Sequence, residues 1–327
     1  METINSSLST RKRIDYLDAI KGIAIFGVVW VHTSHPDWLT LNYIFFILGG
    51  FFFKRKSLKI FLREKIQYIL LPFLFFYLVS YLFRIVVHYW DYRSLTSFEW
   101  GCIFDVFDCA TQWDYLFVNV PLWFLLCFFV IQILYYFVSY LNKWLIAILA
   151  LLCMGLKSVF MSVPTPFMIN VACYYIGFFA IGNLIGKAWI EKLKDLRFRK
   201  LTIGISFISF LALFVPINTL NECCYGTAYH IKLFMVFFVL MSVFSWLNEK
   251  SYLSTVRFYG ENSLTILGIH VMPLIVVIRI TNAIFGYCTP FMGFIQSVIV
   301  MAIMYVVILF CNKYIPMLVG KKVHVRA

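Results

Sequence analysis

Charge is scarce in this sequence. Asp, Glu, Lys and Arg supply only 13% of the 327 residues, while hydrophobic residues supply 62%. An ordinary soluble domain carries about 25% charged residues and about 45–50% apolar ones. A soluble fold must cover its core with polar side chains, and this chain has too few. The shortage excludes a soluble globular enzyme, a disordered chain and a secreted disulfide scaffold. Metal-type cysteine spacing is also missing. The nine cysteines contain no CxxC pair. Cys127, Cys153, Cys173 and Cys311 lie in apolar runs, where Cys behaves as a small hydrophobe. Cys102, Cys109, Cys223, Cys224 and Cys288 are expected on the outer side, where a Cys102–Cys109 disulfide is open to formation. No internal repeat, soluble domain, cleavable signal or lipid-attachment motif is read along the chain.

What is present in abundance is apolar length. Runs long enough to be read as membrane helices cover 19–37, 39–53, 68–89, 120–141, 144–163, 167–187, 201–218, 230–247, 262–281 and 291–312. The expected architecture is therefore an all-α integral membrane protein, a bundle of about ten transmembrane helices. The run 39–53 is short for a hydrocarbon core of about 30 Å.

The formal charge of +13 comes from 28 Lys and Arg against 15 Asp and Glu. With both termini in the cytoplasm, 23 of the 28 basic residues fall on the cytoplasmic side; Arg84, Arg93, Lys157, Lys232 and Arg279 fall elsewhere. Cytoplasmic loops gather Lys and Arg, so the sorting predicts an N-in/C-in topology. It needs no nucleic acid as partner. The runs divide the chain into a cytoplasmic N-terminal segment 1–18, a transmembrane domain 19–313 and a cytoplasmic tail 314–327. The outer segment 90–119 is acidic and aromatic, a composition that suits either a cap over the bundle or contact with sugars.

Ionisable groups inside a span are costly and point to a functional interior. Lys21 and His32 lie 11 residues apart in the first run. That spacing is three turns plus roughly 20°, so both occupy one face, about 16 Å apart along the axis. Asp18 precedes Lys21 by three residues and His35 follows His32 by three, which extends the face into a polar stripe. In the ninth run Ser263 and His270 are seven residues apart and share a face. His32 and His270 stand at similar depth on different helices, which points to a buried polar chamber. An imidazole there is suited to general-base work near neutral pH. A hydrogen-bonded packing role for either histidine is the plainer reading. A metal site of His32, His35 and His270 is a weaker one, because an i,i+3 pair without a helical carboxylate is a poor zinc signal. Arg84, Lys157 and Lys232 are read as snorkelling cations without chemistry.

The segment YLDAIKGIAIFGVVWVH, Tyr16 to His32, resembles the opening signature of the bacterial type 3 acyltransferase family: Leu17-Asp18, Lys21-Gly22, then His32. FFILGGFFF from Phe45, PLWFLLCFF from Pro121 and YGENSLTILGIH from Tyr259 resemble three further segments of that family, in order. Two positions depart from it. Gly49-Gly50 stands where the family usually ends its second span in Ser-Gly, and Lys65 and Tyr68 stand where it often has an Arg-x-x-Arg pair. Arg63 is the nearest remaining basic residue.

The resemblance implies an integral-membrane O-acetyltransferase of the bacterial inner membrane. It implies acetyl-CoA as donor and a surface glycan, such as O-antigen, or its lipid-linked precursor as acceptor. No bound cofactor and no metal are expected, and membrane lipids surround the chain. His32 is then the catalytic histidine, with Lys21 and Asp18 as its motif partners. Arg63, Lys65, Trp123, Asn262, Ser263 and His270 are candidates for donor or acceptor binding. Asn262 and Ser263 also fit a helix-capping role. A transporter or flippase of a glycan intermediate is the rival class, since polar stripes also serve transport.

Overall fold

The computed structural model describes residues 14–34, 41–108, 118–212, 222–248, 253–286 and 289–321. Among these residues every regular element is helical. The first helices are α1 (Asp15–Ser34), α2 (Tyr43–Phe51), α3 (Leu58–Lys65), α4 (Leu71–Tyr92) and α5 (Asp105–Asp108). Next come α6 (Trp123–Val138), α7 (Lys143–Gly155), α8 (Lys157–Ser162), α9 (Ile169–Lys192) and α10 (Leu196–Ala212). The chain continues through α11 (Glu222–Asn248), α12 (Ser254–Glu261), α13 (Ser263–Ile269), α14 (Val271–Phe285) and α15 (Pro290–Tyr314). A π-helical turn, Ile66–Leu70, joins α3 to α4 without a break.

The protein is an all-α membrane protein, but fewer helices meet the length and apolarity of a full span than the ten expected. Among the described residues six do so, and seven if α13 and α14 count as one bent span. The shortfall has local causes. The run 39–53 holds only the nine residues of α2, about 13 Å of helix. The run 144–163 breaks between α7 and α8 at Gly155–Leu156. The run 201–218 is helical as far as Ala212, and the rest lies outside the described residues. Short elements are tolerated at membrane depth when protein, not lipid, surrounds them. That holds for α2, where Tyr43, Ile44, Phe46, Ile47, Leu48, Gly50 and Phe51 are all buried.

α1 is the hub. It touches α2, α11, α12, α13, α14 and α15. Its closest crossing is with α12, where a Cβ on Gly260 would strike the Asp18 carbonyl and one on Gly22 the Val256 carbonyl. The crossing is backbone on backbone, the kind of approach that only small residues permit. Arg257 reinforces it by donating to Asp15 at 2.6 Å. A second crossing joins α2 to α9, where Gly50 and Gly182 each meet the partner's backbone. The contacts Tyr43–Phe178, Ile47–Gly182 and Phe51–Gly186 advance together, so these two helices run parallel. Gly49 faces the Phe128 ring. A Cβ at Gly49 would come within 2.6 Å of that ring, so the ring fills the space a serine would need.

Cys102 is a buried free thiol. Cys109, like His35, lies outside the described residues.

Candidate functional site

The site starts on α1. Asp18 and Lys21, one turn apart, form an ion pair in which the carboxylate is buried and the ammonium partly exposed. One turn further on, Ile25 opens the wall of a cavity of about 620 Å³ that follows α1 through Val28 and Val31 to His32. Of the polar stripe expected from the sequence, His32 lines this cavity, whereas Asp18 and Lys21 lie on the turns before it and His35 lies outside the described residues. Lys21 stands near one end and His32 at the other.

His270 arrives beside His32 from the far end of the chain. The two rings lie 5.5 Å apart, tilted by 43°. The ninth run places His270 there by breaking. α13 and α14 meet at His270 with a bend of 56°. Pro273 causes it: it has no N–H to reach the Ile269 carbonyl, and its ring crowds that carbonyl. Asn119, buried just before α6, donates to the Gly268 carbonyl at 2.9 Å and to Ser80 Oγ at 2.8 Å, and so braces the bend.

His270 is fully buried. Its Nδ1 sits 2.8 Å from the Ile266 carbonyl. A carbonyl only accepts, so Nδ1 carries the proton and donates. Nε2 is then the remaining site of the ring, and it has no hydrogen-bond partner among the described residues. A buried polar atom left without a partner is costly, which marks this nitrogen for a role beyond packing.

The remaining cavity wall is mostly aromatic. Phe45 from α2, Trp123 and Phe124 from α6, and Tyr174 and Tyr175 from α9 all contribute. The Trp123 and Tyr175 ring centroids lie 5.7 Å apart. Besides His32 and the tyrosine hydroxyls, the polar lining groups are Asn42, which donates to the Tyr175 hydroxyl at 3.3 Å, Lys157, and Ser263 at the start of α13.

The residues singled out from the sequence thus divide. His32, Trp123 and Ser263 line one cavity, and His270 backs it. Asp18 and Lys21 stand beside its Ile25 end. Asn262 does not face the cavity, and its side chain does not cap α13. Its amide donates to the Phe258 carbonyl at 2.7 Å, and its oxygen accepts from Asn312 at 3.0 Å and from Lys321 at 2.5 Å. It clamps the chain that follows α15 against the start of α13. Arg63 is exposed on α3, and Lys65 lies over the Phe61 ring at 5.1 Å; neither touches the cavity.

Two residues of the site escape the sequence reading. Asn119 is one, and its only signal is an isolated amide in an apolar stretch. Lys157 is the other. Sequence alone makes it a snorkelling cation, yet it lines the cavity. The sequence reading places it near the end of the run 144–163, so its position gives no separate hint. Among the described residues no group of three or more His, Cys, Asp or Glu is arranged to hold a metal ion.

No curated protein and no solved structure matches the chain. A family model does: the acyltransferase domain of type 3 matches residues 14–313, nearly the whole chain, and the protein belongs to that family.

Proposed function

We propose that the protein is a membrane-embedded O-acyltransferase. It moves an acetyl group from cytoplasmic acetyl-CoA to a hydroxyl of a cell-surface polysaccharide or its lipid-linked precursor, in the bacterial inner membrane. The observation that carries this reading is the line along α1: an Asp18–Lys21 ion pair, a cavity running from Ile25 to His32, and His270 5.5 Å beyond. Family membership supports acyl transfer and gives the transporter reading no support.

The proposed orientation is N-in/C-in. Lys54, Arg55, Lys56 and Lys59, between α2 and the end of α3, then face the cytoplasm with Arg63 and Lys65. The bidentate Arg279–Asp91 contact, 2.8 Å on each arm, ties α14 to α4 at the outer end. This gives one of the five misplaced cations a structural reason.

In this reading CoA approaches from the cytoplasm, and its phosphates meet Arg63, Lys65 and Lys21. Asp18 fixes the Lys21 ammonium. The acceptor sugar enters the aromatic cavity, with Trp123 as a stacking surface and Ser263 as a hydrogen-bonding group. Asn262 acts indirectly, by holding the start of α13. His32 removes the proton from the acceptor hydroxyl as its oxygen attacks the thioester carbonyl carbon. The carbon–sulfur bond breaks, and the imidazolium returns the proton to the CoA thiolate. His270 acts from behind, positioning the His32 ring.

The test is mass analysis of the surface glycan with and without the gene. A difference of one acetyl group per modified unit supports the reading. An unchanged glycan, or loss of the whole polymer, overturns it.

A further inference from the structure

Lys157 stands in the wall of the His32 cavity, and among the described residues its charge has no anion beside it. Among the described residues it makes no ion pair, and no Asp or Glu lines the cavity. The other polar lining groups are His32, Asn42, Ser263 and three tyrosines. What holds the ammonium is aromatic. Its Nζ lies 5.5 Å from the Tyr174 ring centre and 5.2 Å from that of Tyr229. Tyr174 is itself fixed, because its hydroxyl pairs with His230 Nε2 at 3.0 Å.

Aromatic faces attract a cation by only about 0.5–2 kcal/mol, so the ammonium keeps capacity for a stronger, charge-assisted partner. A lysine with nothing to do would extend its flexible stem to the headgroups. This one is exposed, yet its Nζ is held over two rings at a cavity wall.

We infer that Lys157, flanked by Tyr174 and Tyr229, forms a subsite for an anionic group on the acceptor. This deepens the proposed function and rests on that reading of the cavity. The cation makes one strong charge-assisted contact, and the aromatic walls cover the sugar face. Two sources supply the anion: the carboxylate of an acidic sugar, or the phosphate that links a sugar to its carrier.

The test uses the detergent-solubilised full chain and no acyl donor. Thermal unfolding is followed during titration with glucose 1-phosphate, glucuronate and neutral glucose. The wild type should be stabilised by an anionic probe at concentrations at least about tenfold below those needed for glucose. K157Q should need at least about tenfold more of that probe, and K157R should stay within about threefold of the wild type. A larger response to glucose 1-phosphate assigns the phosphate, and a larger response to glucuronate the carboxylate. A K157Q response equal to the wild type, or a wild type that treats glucose and both anions alike, overturns the inference. Acyl transfer is not read in this assay. A protein that binds the anionic probes but transfers nothing would overturn the enzymatic reading alone.

Discussion

The rings of His32 and His270 lie 5.5 Å apart, although the two residues come from opposite ends of the chain. Nδ1 of His270 is committed to the Ile266 carbonyl, and its Nε2 is without a partner among the described residues. The two nitrogens can be separated by substitution. H270N keeps a donor at the Nδ1 position and loses Nε2, whereas H270Q extends an amide to the Nε2 position. H270N should fold like the wild type, with acyl transfer reduced about 100-fold, the lower end of the range for positioned acid–base groups. H270Q should retain more activity than H270N. Thermal unfolding and the glycan's acetyl content check both. An H270N protein with full activity would leave His270 as a packing residue.

Gly260 and Gly22 permit α1 and α12 to cross with their backbones in contact. A methyl at Gly260 meets the Asp18 carbonyl, which is backbone and cannot swing aside. G260A should therefore cost about 1–3 kcal/mol. It should also lower both the unfolding midpoint and the yield of detergent-stable protein. G204A serves as the control, since a methyl there meets nothing within 4 Å. Equal midpoints for G260A and G204A would contradict the crossing.

The Asp18–Lys21 pair sits on the turn before the cavity begins. K21A should abolish acetylation of the glycan while the protein still accumulates in the membrane. K21R, which keeps the charge, should restore part of it. Unchanged acetylation in K21A would make Lys21 a residue of topology alone.

Orientation is open to a direct check. A green fluorescent protein fused after Lys321 should fluoresce, because it folds in the cytoplasm. The same fusion after Arg93 should stay dark. The reverse pattern would invert the topology and place CoA on the wrong side of the stripe.

The α1 stripe is legible in the sequence because Asp18, Lys21 and His32 interrupt an apolar run, and helix geometry turns their spacing into a shared face. The partnership with His270 is half legible: depth can be read from sequence, but not which helices meet. The crossing that aligns them depends on Gly22 and Gly260, and a glycine in isolation does not say what it approaches. Hydropathy finds more runs than there are full-length apolar helices among the described residues, because a window records apolar length and not where helices end. Gly155–Leu156 splits one run, and α2 stops after nine residues inside a protein shell. Lys157 and Asn119 stay hidden for a related reason. Their roles come from neighbours on other helices, the tyrosine pair for one and the Gly268 carbonyl for the other.

The central claim is that His32 performs acyl transfer at the end of this cavity. The most direct measurement is mass analysis of the surface glycan from cells carrying H32A in place of the wild-type gene, with protein levels in the membrane matched. The account expects the acetyl group to be absent while the polymer itself is intact. A glycan acetylated to the wild-type level in H32A would contradict it.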